Sequence, residues 1–268
     1  MRKSVVLLGV IFLLGTYSHL FGGEAYDKLI LQTKGLVGYW KLDEKDGTFV
    51  NSLRDNYTGT DEGKRVMEMS LKDKTSGIKV YKDTTYPEPY NSADNFYGNH
   101  YIRIWRHGDD FDMRTGDFSL EAWIKVSRIP VTTVPIVGKS SPFGKSYGLY
   151  LTKNMSVSMT IWENRSNYNT AVTPAGSIRP GEWYHVVGVR EKDTLRIYVN
   201  GILKGERAKG FDIDTGGYGN LHFGGFRLGK RFTGKMRDIA LYRKALGSNE
   251  IKEHFKSGKE QFLKGGSL

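Results

Sequence analysis

The sequence predicts an all-β fold: a β-sandwich of two antiparallel sheets, closed by a short C-terminal helix. Three observations predict it. First, Gly181–Gly205 reads GEWYHVVGVREKDTLRIYVNGILKG, two β-rich runs (Trp183–Arg190 and Leu195–Val199) around a polar turn, then Asn200-Gly201 leading into Ile202–Lys204. Asn-Gly between apolar runs is a strong hairpin signal, because both central residues of a type I′ turn need φ > 0. Second, Leu195, Ile197 and Val199 fall on one face of their run while Arg196, Tyr198 and Asn200 fall on the other, the alternation of a half-buried strand. Third, 33 glycines and only 7 prolines punctuate many short runs rich in Val, Ile, Tyr, Phe and Trp, with no repeat and no low-complexity linker. A chain of 268 residues is long enough for one sizeable core.

Met1–Ala25 reads as a secretory signal. Arg2 and Lys3 precede the apolar run Val5–Leu14, which is too short for a comfortable transmembrane helix. Residues 26–34 are a lead-in, 35–256 the sandwich and 257–268 a tail. The mature chain is therefore expected to be secreted, periplasmic or at the cell surface, with no transmembrane span. Leu36–Asp43 is the first strand, with Trp40 and Leu42 inward. Residues 61–95 are polar and irregular, with a Pro-rich bend at Tyr86–Tyr90, and Tyr101, Ile102 and Ile104 restart a strand. Phe118–Val126 is a clear strand, with Leu120, Ala122, Ile124 and Val126 on one face and Ser119, Glu121, Trp123 and Lys125 on the other. Ile136–Lys139, Tyr147–Thr152 and Ser156–Trp162 follow, and Leu221–Gly225 and Lys235–Tyr242 complete the sheets. At the end, Ser248 is placed as N-cap, Glu250 suits the first turn, and Ile251, Phe255 and Phe262 recur at helical spacing.

Four stretches, in order, resemble the LamG-like (laminin G type 3) jelly rolls of concanavalin A-like fold. They are GLVGYWKLDE, DFSLEAWIKV, WYHVVGVREKDTLRIYVNG and FTGKMRDIALYRKALGSNEI, spanning about Gly35 to Phe255. The resemblance implies a jelly roll whose first and last strands are neighbours. It also makes calcium a candidate cofactor, as in the wider fold, with Asp43 and Asp238 as weak candidate ligands. Here Arg237 replaces an acid the family commonly carries beside Asp238, and a Lys41–Asp238 salt bridge is the plainer reading.

Several chemistries are excluded or unsupported. With no cysteine there is no disulfide, thiol nucleophile or Cys-ligated zinc. The E-x-D-x-x-E strand motif of the glucanases with this fold is absent, as are G-x-S-x-G and H-E-x-x-H. His185 has no acid partner in its motif and reads as a core-edge histidine. The chain is therefore read as no enzyme.

Binding is the better expectation. A sugar site presents an aromatic face for C–H groups and amide, carboxylate or guanidinium groups for hydroxyls. Ser156–Asn169 has that mixture, with Ser156, Ser158, Thr160 and Trp162 opposite Val157, Met159 and Ile161. The candidate ligand-binding set is Trp162, Trp123, Thr160, Glu121, Asn164 and Arg165, on the expectation that both tryptophans share one groove. The alternative is that they cap the sandwich. A formal charge of +11 and the basic stretch from Arg227 to Lys244 favour an acidic polysaccharide or glycoconjugate, and an exported chain argues against nucleic acid. The expected function is a non-catalytic module for extracellular or envelope polysaccharide. The alternative is a structural or adhesive module binding other envelope proteins, ahead of a hydrolase or lyase.

Overall fold

The structure is a computed structural model that describes residues 22–42, 78–81, 95–96, 101–104, 111–141, 144–208, 213–217, 219–225 and 231–264. A helix, α1 (Gly22–Gln32), comes first. It is followed by β1 (Leu36–Trp40), β2 (Ile78–Tyr81), β3 (Asn95–Phe96), β4 (Tyr101–Ile104), β5 (Phe118–Val126), β6 (Val134–Ser140) and β7 (Ser146–Leu151). Then come β8 (Val157–Trp162), β9 (Tyr168–Val172), β10 (Trp183–Glu191), β11 (Thr194–Val199), β12 (Ile202–Ala208), β13 (Asn220–Phe223), β14 (Gly234–Tyr242) and the closing helix α2 (Ser248–Lys264).

The strands form two antiparallel sheets. The first runs β1-β14-β5-β10-β11-β12, with β3 beside β14; the second runs β2-β4-β13-β6-β7-β8-β9. The first and last strands pair, β1 with β14. Asn200 and Gly201 both have positive φ (51° and 75°), as the hairpin reading requires. Alternation holds where it was clearest. Leu120, Ala122, Ile124 and Val126 of β5 share the inter-sheet core with Val157, Met159 and Ile161 of β8. Each such aliphatic burial is worth roughly 1.5–3 kcal/mol.

Two bulges reset that alternation. In β1 the register shifts between Leu36 and Gly38. Trp40 and Leu42 thus enter the core while Leu36 packs on the opposite side of the sheet. In β14, Arg237 pairs with Trp123 but Ala240 with Glu121, so one extra residue is accommodated between them. Asp238 lies in that bulge with φ 52° and is buried.

The outer face of the first sheet is not a solvent face. Trp123, Trp183, Val187, Val189, Tyr198 and Tyr242 form a second apolar cluster, closed by Tyr26 and Ile30 of α1 and by Ile251 and Phe255 of α2. The molecule is thus layered helices on sheet on sheet. Gly258 of α2 lies against the Trp123 indole; a Cβ there would come within 2.6 Å of the ring. This close packing offsets the weak helix propensity of a mid-helix glycine, about 1 kcal/mol relative to alanine.

The N-cap of α2 differs from the sequence reading. Gly247 N–H donates to Glu250 Oε2 at 2.9 Å, and Ile251 N–H donates to Gly247 O, which makes Gly247 rather than Ser248 the N-cap. α2 runs on to Lys264, well beyond Phe255. α1 crosses the boundary expected between the signal and the lead-in. Among the described residues, no helix is long and apolar enough to cross a membrane.

Candidate functional site

β7, β8 and β9 build the outer face of the second sheet. Their register places Ser146, Trp162 and Tyr168 in one row, Gly148, Thr160 and Thr170 in the next, and Tyr150, Ser158 and Val172 in the third. The middle row continues through Gly138 of β6 to His222 of β13. Two glycines therefore face each other in the middle of the face. A Cβ on Gly138 would lie 2.6 Å from Tyr147 O, and one on Gly148 would lie 2.9 Å from Tyr150 Oη. The Tyr150 phenol lies across the space a side chain at 148 would fill.

Tyr150 meets Trp162 edge to face, with centroids 5.6 Å apart and planes at 89°. Thr170 donates to Thr160 between their hydroxyls at 3.1 Å. Tyr168 is 47 % exposed, Trp162 half-buried, and Thr160, Ser158 and Tyr150 are buried. Burial pushes the Tyr150 hydroxyl well above its ordinary value, so it stays a neutral donor. Beyond β8 the chain turns at Glu163–Asn167. Asn164 Oδ1 accepts from the backbone of Ser166 and Asn167, and Asn167 Nδ2 donates to Glu163 Oε2 at 2.7 Å. Asn164 and Arg165 are exposed at this tip. Aromatic rings and paired hydroxyls thus share one face, and the exposed Asn164–Arg165 turn follows directly on Trp162.

Four of the six expected residues, Trp162, Thr160, Asn164 and Arg165, meet here. Trp123 and Glu121 do not, because β5 belongs to the other sheet. The expectation that the two tryptophans share a groove is corrected. Trp123 is 2 % exposed, its ring stacked on Phe255 at 5.9 Å and its Nε1–H donated to the Tyr26 hydroxyl at 3.1 Å.

Glu121 sits in a buried polar cluster that no local motif announces. Its Oε1 accepts from Tyr26 Oη at 3.0 Å and meets His185 Nε2 at 2.7 Å. Its Oε2 accepts from Tyr242 Oη at 2.9 Å and meets His254 Nδ1 at 3.0 Å. His254 Nε2 in turn lies 3.1 Å from Thr33 Oγ1. Burial alone would raise the Glu121 carboxyl, but His254 and His185 outweigh it and hold it well below the carboxylate range. Burial opposes charge on His254, yet Glu121 raises it above its ordinary value. His185 is in the core, as read, but it does have an acid partner. Glu121 and His185 are fully buried, so the arrangement ties helices to the sheet and offers a substrate no access.

Asp238 is fully buried in its bulge. Tyr39 Oη lies 2.6 Å from Asp238 Oδ1 and 2.7 Å from Asp27 Oδ1, and Lys41 Nζ lies 3.0 Å from Asp27. One phenol proton cannot serve two carboxylates. The phenol donates to one of them at a time, with both acceptors within its reach. Burial pushes Asp238 up to about 7, against the pull of Arg237 and Tyr39, and its Oδ2 has no partner. The other candidate metal ligand, Asp43, lies outside the described residues, as do the Tyr86–Tyr90 bend and Arg227 and Lys230 of the basic stretch. Among the described residues, no group of three or more His, Asp or Glu side chains is placed to hold a metal.

The sequence pattern of the Laminin_G_3 family, in the concanavalin A-like lectin/glucanases superfamily, matches residues 96–252. No curated protein matches the chain in sequence. Among solved structures, the botulinum neurotoxin serotype D binding domain matches with a TM-score of 0.60 at 13% identity, over 84% of this chain and 51% of that one. The binding domain of botulinum neurotoxin DC in complex with SialylT gives 0.58 at 12%, over 84% and 52%. The same domain in complex with rat synaptotagmin II gives 0.57 at 12%, over 83% and 51%. The chain thus spans about half the length of the solved chains it matches, and at these identities the likeness is one of fold.

Proposed function

The chain belongs to the Laminin_G_3 family of the concanavalin A-like lectin/glucanases superfamily, and from that membership we propose that it is a non-catalytic binding module for extracellular or envelope polysaccharide. One observation carries the reading: Trp162, Tyr150 and Tyr168 share a sheet face with the Thr160–Thr170 hydroxyl pair, next to the exposed Asn164 and Arg165. Rings take the C–H faces of a sugar and the hydroxyls, amide and guanidinium take its oxygens. The matched solved structures are binding domains, which supports the class. The basic balance of +11 supports an acidic polymer, and the Met1–Ala25 lead supports export.

A glycan array read at low and raised salt, with wild type and Trp162→Ala, tests this. Binding to acidic glycans that weakens with salt and with the substitution is expected. Binding to no glycan, or binding that Trp162→Ala leaves unchanged, would overturn it.

A second reading, an adhesive module for envelope proteins, has its own observation. Ile202 and Leu203 on edge strand β12, and Val172 on edge strand β9, are exposed apolar residues on the edges of the two sheets. One matched domain is solved with a protein, rat synaptotagmin II.

A further inference from the structure

Among the described residues, one end of the sandwich is chemically unlike the other. Strand register brings the loops after β5, β7, β9 and β13 to the same end. Backbone bonds tie them together: Gly181 N–H to Val126 O at 2.8 Å, Ser127 N–H to Thr233 O at 3.0 Å, and Ile178 N–H to Met155 O at 3.1 Å. From this tied base the loop Ser127–Thr133 projects Val131, 96 % exposed, and Ile129, 59 % exposed, on either side of Pro130. The same tied loops carry the exposed cations Arg128, Lys153 and Arg179. The acid among the described residues of these loops is Glu182, which accepts from the Tyr184 hydroxyl at 2.7 Å. The opposite end mixes its signs, with Lys145 paired to Asp214, and with Lys192 between Glu191 and Asp193.

We propose that the end carrying Ile129 and Val131 docks on an anionic lipid bilayer surface, the two aliphatic side chains entering the headgroup boundary while Arg128, Lys153 and Arg179 meet the lipid charges. A single exposed aliphatic residue needs no explanation. Two at one loop tip, with like charges on the same and adjoining loops, match the pairing of apolar insertion with electrostatic attraction that holds peripheral proteins on membranes. The chemistry favours lipid over sugar here, because the exposed described residues of these loops include no aromatic ring to stack on a pyranose. Trp162 lies at the opposite end of β8 from these loops, so the two readings are tested at different residues.

The absence of cysteine permits a position-specific test on the full chain. Thr133→Cys, labelled with an environment-sensitive fluorophore, reports on this end, and Asp193→Cys on the other. With phosphatidylcholine vesicles containing phosphatidylglycerol, emission at 133 is expected to rise and shift to the blue while emission at 193 stays constant. Neutral vesicles should give a several-fold weaker response. So should raising ionic strength from about 0.1 M to about 1 M, where the screening length falls from about 10 to about 3 Å. Val131→Asp in the labelled chain should weaken vesicle binding about tenfold at this probe, the cost expected for a charge in place of an inserted aliphatic group. No rise at 133 overturns the proposal, as does an equal rise at 193 or a rise indifferent to Val131→Asp. An equal rise on soluble dextran sulfate without vesicles overturns it in favour of an acidic polymer. A folded far-ultraviolet spectrum for each variant keeps the comparison between native chains.

Discussion

His254 of α2 and Glu121 of β5, 133 positions apart in sequence, meet at 3.0 Å beneath the helical layer with the carboxylate fully buried. Breaking a buried charged network by neutralising its centre costs about 3–5 kcal/mol. Glu121→Gln is therefore expected to lose stability of that order in denaturant unfolding. Hydrogen exchange should show α1 and α2 losing protection before the strands do. A loss below about 1 kcal/mol would mean that the carboxylate does not organise the helices.

The same layer sets a pH dependence. Glu121 is depressed below its ordinary 4.5, so its contribution is present above that value and is lost as pH falls. His254 is raised, so its contribution is present below its ordinary 6.5 and is lost as pH rises through the folded value. Asp238 is raised from 3.8 to about 7, so the folded state favours its protonated form and stability declines between those values. Together these three groups place the maximum melting temperature at about pH 4–5, with a decline through neutrality. Asp238→Asn should flatten the decline below pH 7 and keep the fold, since asparagine tolerates the positive φ found there. Melting curves from pH 3 to 9 on both proteins check this; an unchanged slope in Asp238→Asn would remove Asp238 from the account.

The two tryptophans should separate cleanly. Trp123→Ala empties a site closed by two helices and should cost about 3–5 kcal/mol. Trp162→Ala should forfeit roughly 0.5–1.5 kcal/mol of edge-to-face contact with Tyr150, together with glycan affinity. Parallel calorimetry and glycan titration distinguish them, and a large stability loss in Trp162→Ala would assign that ring to packing.

Gly148→Ala probes the candidate face without removing a polar group. Its Cβ would press on Tyr150 Oη at 2.9 Å, Val137 O at 3.0 Å and Gly138 Cα at 3.1 Å. Overpacking of this kind costs about 1–3 kcal/mol, and displacing Tyr150 should lower affinity for any ligand seated on it. Unaltered melting and unaltered binding together would show that the face yields freely.

The sandwich was legible because its signals are local, period-2 alternation in Phe118–Val126 and Asn200-Gly201 at positive φ, while the pairing of the first and last strands came from the family resemblance. The binding face was half legible. Alternation placed Trp162 opposite Met159 correctly, but could not say which sheet β5 or β8 would join. Trp123 and Glu121 look polar-faced in sequence, yet two helices cover them, and their partners Tyr26, His185 and His254 lie 97, 64 and 133 positions away. Tyr150 is not among the sequence candidates because its relation to Trp162 exists only through register. Gly138 and Gly148, a glycine in each of two successive strands, were the available clue.

The extra residue in β14 has a meaning for how this chain tolerates change. Before it, Met236 faces the inter-sheet core; after it, Ile239 and Leu241 do. The even-numbered position points inward on one side of Asp238 and the odd-numbered positions on the other, so the bulge acts as a phase shift in the strand's reading frame. Removing one residue there would restore strict alternation on paper. Ile239 and Leu241 would stay in the sandwich and Ala240 and Tyr242 under the helices, whereas pairing the strand without its bulge while Asp238 remains would exchange the two cores at a stroke. Substitutions on either side can be absorbed one side chain at a time, whereas a slip of the strand past its bulge has no intermediate.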